Sequence, residues 1–387
     1  MFVSQLIKKN RRRYIDNSCY QLKICLLLIH FLLIPFSLFS QEHLFEAKLL
    51  TPEDGLANLS TTSIFKSRDG FMWIGTQYGL NRYDGHNFKL YTKEANGLFD
   101  NKDIRRIDED RQGNLWLYYT PHEVGWGPYR EIEGLDIFNP QTGLATPFDI
   151  FFAHKAPFKA ASINLLKVND PQHRQWISTN QGEIFLYDGS FKKVFQKQGV
   201  FFQYLTIDSR DNVWLGWEKH LLCIDKSGKV LEENALPNDV NGVYAGQNNE
   251  LWLHIRGYKM VTIYHKTKGG TLEPFVLKRD NKPYELLREP NTLVYHDLKG
   301  YWYVSVDKHL HVFNEHGEWI YDFQILLSKD VPFSFYNDYD DAHDLWLTTS
   351  TGLLQVSVMK NRFQLIQQTK EGYSDCRGIT EDKNGFI

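Results

Sequence analysis

Asp108-x-Asp110-x-Gln112-Gly113 comes nearest to a metal-binding loop, with oxygen-bearing side chains at alternate positions and a glycine for the bend. The twelfth position of such a loop, an acid in calcium sites, is Tyr119 here, and similar turns recur elsewhere in the chain. A hairpin turn is therefore the expected reading. His309 and His311 alternate along one stretch with His316 just beyond, residue types that ligate zinc, but the expected arrangement is a solvated strand face and no metal. The remaining histidines are scattered, and the chain has no GxSxG, HExxH or phosphate-cradling glycine loop. Glycoside hydrolysis would need two carboxylates facing across a pocket, or a tyrosine nucleophile with an arginine cluster, and no local pattern nominates either. No catalytic residue and no cofactor is expected.

Binding has better support. Residues 121–130 place Trp126, Tyr129 and Arg130 among flexible glycines, and Arg256 with Tyr258 form a second group of the same kind. Sugar rings stack on aromatic faces while their hydroxyls bond to polar groups, so these five residues are the candidate ligand contacts. The competing reading of Trp126 is that it packs its own loop down. The ligand expected is a small molecule or oligosaccharide.

A repeat must position these loops. Trp73, Trp116, Trp176, Trp214, Trp252 and Trp346 each sit in a short apolar run of similar form (FMWIGT, NLWLYY, RQWIST, NVWLGW, ELWLHI, DLWLTT), and a seventh copy fits with Tyr303 at the tryptophan position. Their spacings of 43, 60, 38, 38, 51 and 43 residues suit propeller blades of about 40–50 residues. Each run follows a polar turn, such as Ser67-Arg68-Asp69-Gly70 or Asp208-Ser209-Arg210-Asp211, and precedes a second strand such as Gly79-Leu80-Asn81-Arg82-Tyr83. With an inner strand such as Ser63-Ile64-Phe65 and an outer one such as Phe88 to Tyr91, each unit is a four-stranded antiparallel meander. The expected fold is all-β, a seven-bladed β-propeller, because open four-stranded units expose edges that ring closure removes. The seven aromatics are expected to fill the seams between blades. The long intervals are read as insertions at 120–133 and within 256–290.

Composition agrees. Aromatic residues make up 15% of the chain and methionine is scarce, at 4, a profile of packed strands. The first 40 residues hold six basic residues and one acid, then an uncharged run over 24–39 and Ser40-Gln41, the pattern of a signal peptide or, uncleaved, a signal anchor. Without it, 38 basic residues face 46 acidic ones, a net −8 that disfavours nucleic acid. A periplasmic location is expected, with membrane contact only through an uncleaved leader or sequence beyond this chain. Cys223 and Cys376, distant in sequence, predict no disulfide framework, and Cys223 reads as a buried thiol.

Glu53-Asp54-Gly55-Leu56, Ser63-Ile64-Phe65, Asp69-Gly70-Phe71-Met72-Trp73-Ile74-Gly75-Thr76 and Gly79-Leu80-Asn81-Arg82-Tyr83-Asp84-Gly85 resemble the opening of the two-component regulator propeller family. Later blades fit more loosely, with His173, Asp211 and His343 where the family prefers glycine. Ser67-x-Asp69-Gly70 also resembles the aspartate boxes of sialidase propellers, which are blade turns. The resemblance implies the periplasmic sensor region of a Bacteroidetes-type hybrid two-component histidine kinase, detecting an oligosaccharide and pairing as a homodimer through the propeller. It also implies a leader over 1–40, one propeller over 41–365, and over 366–387 the truncated start of a second propeller. Phe45-Glu46-Ala47-Lys48-Leu49 parallels Phe363-Gln364-Leu365-Ile366, and either strand is a candidate to close blade seven. The alternatives are a secreted propeller enzyme acting on glycans, of lyase or sialidase type, and a protein-interaction scaffold.

Overall fold

The computed structural model describes residues 43–99, 103–119, 134–167, 170, 172–246, 250–257, 260–267, 270–286, 293–296, 300–306, 309–324, 334–336 and 344–360. Residues 45–359 form one compact unit, and of the second unit, built from the two termini, almost nothing falls among the described residues.

Seven four-stranded antiparallel sheets follow one another around the chain. Blade one comprises Thr61–Lys66, Met72–Thr76, Gly79–Tyr83 and Phe88–Tyr91; blade two Ile104–Glu109, Leu115–Tyr119, Gly134–Asn139 and Leu144–Pro147. Blade three comprises Ile163–Lys167, Gln175–Thr179, Glu183–Tyr187 and Phe191–Gln196; blade four Tyr204–Ile207, Val213–Trp217, His220–Ile224 and Val230–Ala235. Blade five comprises Asp239–Ala245, Leu251–Arg256, Val261–Lys266 and Leu272–Phe275; blade six Leu293–His296, Trp302–Val306, His309–Phe313 and Trp319–Gln324. Blade seven takes Ser334–Tyr336, Asp344–Thr349 and Gly352–Lys360 from one end of the unit and His43–Leu50 from the other as its outer strand. Of the two candidate closing strands it is thus the N-terminal one that completes the ring; residues 361–387 lie outside the described residues.

The repeated aromatics do what their spacing predicts. Trp73 of blade one is buried with Ile104, Ile107 and Leu117 of blade two, Trp116 with Ile163, Ile177 and Phe185 of blade three, and Trp176 with Leu205, Leu215 and Ile224 of blade four. Trp214 packs on Val240, Val243 and Leu253 of blade five, Trp252 on Trp302, Val304 and Phe313 of blade six, and Tyr303 on Leu345, Leu347 and Val356 of blade seven. Trp346 then meets Ile64, Met72 and Ile74 of blade one, together with Leu50 of the closing strand. Each side chain on a middle strand faces one neighbour and the next faces the other, the period-two rule of a pleated strand buried on both sides. That rule is why Tyr303, not the adjacent Trp302, occupies the seam toward blade seven, while Trp302 points back to blade five.

Two connections pack as straps on the seams. Residues 148–162, with a short helix at Phe148–Phe151, bring Phe148, Phe152 and Phe158 onto Phe191, Tyr187 and Trp116. Residues 276–286 form a small hairpin, Lys278–Arg279 with Lys282–Pro283, anchored by buried Leu277 and Leu286. The second lies within the insertion expected from the sequence. The first was not expected there: the long spacing between Trp116 and Trp176 includes this aromatic strap as well as residues 120–133.

Candidate functional site

In such a meander the first-to-second and third-to-fourth turns lie at one end of the blade, and the second-to-third turn and the connection onward lie at the other. The first end is governed by the polar turns. Asp110 accepts the amides of Gln112 and Asn114 on Oδ1 (2.9 Å each) and the indole N–H of Trp116 on Oδ2 (3.1 Å). Asp208 does the same for Arg210, Asn212 and Trp214, and Asp170 takes the Gln172 amide at 2.7 Å and the Trp176 indole at 2.9 Å. Ser67 holds the Trp73 indole at 2.9 Å. Each acceptor stands six residues before its tryptophan, so one side chain closes the turn and satisfies a buried N–H that the seam would otherwise strand. The carboxylate of the calcium-like sequence is committed to this work, as the hairpin reading expects.

Charged pairs tie neighbouring turns together. Arg68 bonds Glu109 through its amide (2.9 Å) and its Nε (3.1 Å), and Arg111 reaches Asp188 at 2.9 Å. Arg174, 6% exposed, meets Asp170 at 2.8 Å and Asp211 at 2.5 Å. Asp211 and His173 adopt positive φ (69° and 55°) at the positions where the family prefers glycine. For Asp211 the cause is visible: its carboxylate is the partner that Arg174 needs across the seam.

At the other end, buried polar groups hold the connections. Asn81 accepts the Ala57 amide (3.0 Å) and Asp136 the Phe99 amide (2.6 Å). Burial raises the Asp136 carboxyl above its ordinary range against the lowering effect of those hydrogen bonds. The inner strands of blades one, two, three and five each carry a bulge near this end, leaving Thr62, Arg105, Asn164 and Asn241 as the extra residues. Thr62 bonds the Ile104 carbonyl (2.8 Å) and Asn164 the Phe202 carbonyl (2.8 Å), so these two latch the next blade. Tyr78, Phe99, Phe151 and Phe201 remain exposed on the connections and turns of this end.

Arg256 ends the second strand of blade five at this same end, exposed, opposite Asp239. Among the described residues it makes no ion pair. Trp126, Tyr129, Arg130 and Tyr258 lie outside the described residues. What the described part offers is an end with four exposed rings and the exposed cation Arg256, chemistry suited to a polar, ring-containing ligand.

The histidine trio is rearranged. His309 Nδ1 meets Asp322 Oδ1 at 2.9 Å and His311 Nδ1 lies 3.7 Å from the same oxygen, with the two imidazoles parallel and 5.8 Å apart, while His316 is far more exposed beside Glu315. Parallel rings at that separation do not converge on one ion, and no metal-binding group of three occurs among the described residues. Burial lowers His311 below the usual imidazole value despite Asp322.

The sequence reading missed a second histidine group, between blades five and six. His265 stacks on Trp252 at 3.8 Å, His296 on Trp302 at 4.2 Å, and His254 lies against Tyr244 at 4.8 Å. Burial pulls His254 down to about 3 and His296 to about 4. The clue in the sequence was His254 and His265 on adjacent strands beside a seam tryptophan. Cys223 is buried as expected, its thiol pushed up to about 12 by desolvation.

Comparison with known proteins adds identity to this geometry. Residues 55–78 match the two component regulator propeller family. Over 63 residues the chain is 43% identical to histidine kinase P4 of Formosa agariphila, a match covering 16% of this chain and 5% of that protein. The chain therefore aligns with only a small fraction of that relative's length. Among solved structures, virginiamycin B lyase of Staphylococcus aureus superposes with a TM-score of 0.55 at 12% identity over 82% of this chain and 99% of the lyase. YCF48 bound to D1 peptide superposes with a TM-score of 0.50 at 14% identity over 83% of this chain and 97% of that one. At such identities these two share the propeller fold alone. Residues 55–78, running from the turn before blade one through its first two strands, are thus similar to a two component regulator propeller repeat, and they are set in a seven-bladed ring.

Proposed function

We propose that this ring is the ligand-sensing region of a hybrid two-component sensor histidine kinase, exported to the periplasm and responsive to an oligosaccharide. The observation that carries the reading is the match to the family repeat in blade one, together with the 43% identity to a histidine kinase over 63 residues of the chain. The saccharide is supported by the exposed rings and Arg256 at one end of the blades, and by Trp126, Tyr129 and Arg130 in the adjoining sequence of blade two. Export is supported by the basic and apolar leader over 1–40.

A sensor works by binding one of two arrangements more tightly, so a saccharide that bridges neighbouring connections would favour the arrangement in which they are correctly spaced. The ring suits this because its seams are independent clusters joined by a few hydrogen bonds. Pairing of two rings would pass such a bias onward.

The test is titration calorimetry of the full chain with neutral, uronic and sulfated oligosaccharides. Saturable binding of one class, with the saccharide recovered unchanged, is expected. Conversion of the saccharide to a new product would instead favour the enzyme reading, and a lack of binding across the panel would remove the sensor reading. Fusion of residues 1–60 to alkaline phosphatase checks export independently, with activity expected in the periplasmic fraction.

A further inference from the structure

The strap over 148–162 is fastened on one side and bare on the other. Phe148 and Phe152, four residues apart across one helical turn, are 0% and 4% exposed and pack on Trp116 and on Tyr187 and Phe191 of blade three. Ile150 and Phe151, between them, point outward. Ile150 is 66% exposed, the most of any large apolar side chain among the described residues, and Phe151 is 40% exposed. The strap holds them in place: Phe158 stacks on Phe148 at 6.0 Å, and the Asp149 carboxylate accepts the Ala160 amide at 3.0 Å, closing the segment on itself.

The charges around this pair are one-sided. Asp149 is the sole acid of residues 148–162 and is bonded within the strap, whereas His154, Lys155 and Lys159 are exposed. Among the described residues neither lysine makes an ion pair. The Lys155 amide donates to the Phe152 carbonyl at 2.9 Å, and Lys159 adjoins the Ala160 amide that Asp149 holds, so the fold brings both lysines close to the apolar pair.

Saccharide sites are concave and stack sugars on flat rings, whereas an isoleucine two-thirds exposed projects and offers no flat face. Lysines are depleted from the cores of protein interfaces. A projecting aliphatic and aromatic pair beside unpaired cations instead fits a bilayer surface, where apolar groups enter the headgroup boundary and ammonium groups meet lipid phosphates. We propose that this strap docks the ring on an anionic phospholipid surface, with Ile150 and Phe151 entering the headgroup boundary and Lys155 and Lys159 meeting the phosphates. The strap leans on the third and fourth strands of blade three, so it stands at the rim of the ring and the inner strands take no part. This membrane contact is additional to the leader and to any sequence beyond this chain, and it does not depend on the saccharide reading.

The test uses the full chain with vesicles of phosphatidylcholine alone and of phosphatidylcholine mixed with phosphatidylglycerol, followed by co-sedimentation and by hydrogen–deuterium exchange. The apolar leader binds vesicles in its own right, so exchange over 148–160 is the deciding signal. Slower exchange there is expected on the phosphatidylglycerol vesicles, and added salt should weaken it. Ile150→Ser with Phe151→Ser, and separately Lys155→Gln with Lys159→Gln, should each weaken co-sedimentation by about fivefold or more and remove that protection. These side chains are exposed, so the far-ultraviolet circular dichroism spectrum should not change. Strap exchange unaltered by either vesicle, or co-sedimentation left within twofold by both variants, would assign membrane binding to the leader and overturn the proposal. Strap protection that grows with protein concentration in the absence of vesicles, with a doubled mass in sedimentation, would make the pair a contact between copies of the chain and overturn it too. Protection of the strap by a uronic oligosaccharide but not by vesicles would overturn it in favour of a saccharide contact.

Discussion

The side chain six residues before each tryptophan carries more than its polarity suggests. Asp208 serves two backbone amides, the Asn212 side-chain amide and one indole, so Asp208→Ala removes the acceptor of four donors, and a loss of about 1–3 kcal/mol is expected in urea unfolding followed by fluorescence. Arg174→Ala leaves Asp170 and Asp211 without their cation in a largely buried seam and should cost about 3 kcal/mol. The double variant with Asp211→Ala should fall well short of additivity. The histidines predict a pH dependence of definite sign. His254 and His296 titrate at about 3 and about 4 in the folded chain, below an unfolded value of ~6.5, so on acidification the unfolded chain takes up protons first. Their contribution is constant above pH ~6.5 and falls as pH drops through that value toward the folded ones, by about 1.4 kcal/mol per unit for each group. Equilibrium unfolding between pH 7 and 4.5 should show that slope, and His254→Phe should roughly halve it. Of these features the sequence showed the polar turns but not their partners. The interval from Asp208 to Trp214 is visible on the page, yet only the turn geometry turns six residues into a hydrogen bond. Asp322 was invisible as a partner of His309 because it lies across a strand pairing.

At the scale of the element, the ring is held shut by a strand from the far end of the chain and by one hydroxyl. Thr61 accepts the Thr349 amide at 2.7 Å and donates to the carbonyls of Thr349 and Gly352 at 3.0 and 2.9 Å, joining blade one to blade seven. Thr61→Val keeps the shape and removes these bonds, so a loss of about 1–3 kcal/mol is expected, read as an earlier urea midpoint. Deleting residues 41–50 bares the edge of Gly352–Lys360 and should produce aggregation. The strands were legible because tryptophan marks each middle strand and alternation fixes which neighbour it faces. The closing strand was not, since Phe45 and Phe363 head similar sequences and the choice depends on pairing across the whole ring. The strap over 148–162 was missed for a related reason: Phe148, Phe152 and Phe158 follow no strand period, and their burial comes from the seam they land on.

For the molecule as a whole, seven seam clusters in sequence explain why one aromatic position recurs through a chain whose blades otherwise diverge. They also leave the two ends of the ring with different chemistry. One is a network of turns and ion pairs, and the other presents rings and Arg256 on its connections. The seam between blades five and six differs from those that follow blades one to four, with a glycine in place of the acceptor and His254, His265 and His296 packed against its indoles. The most direct measurement is hydrogen–deuterium exchange of the full chain with and without the tightest-binding oligosaccharide, combined with mass analysis of the saccharide afterwards. The account predicts added protection around Arg256 and the connections at that end of the ring, with the saccharide unchanged. Protection absent from that end, or a saccharide altered in mass, would contradict it.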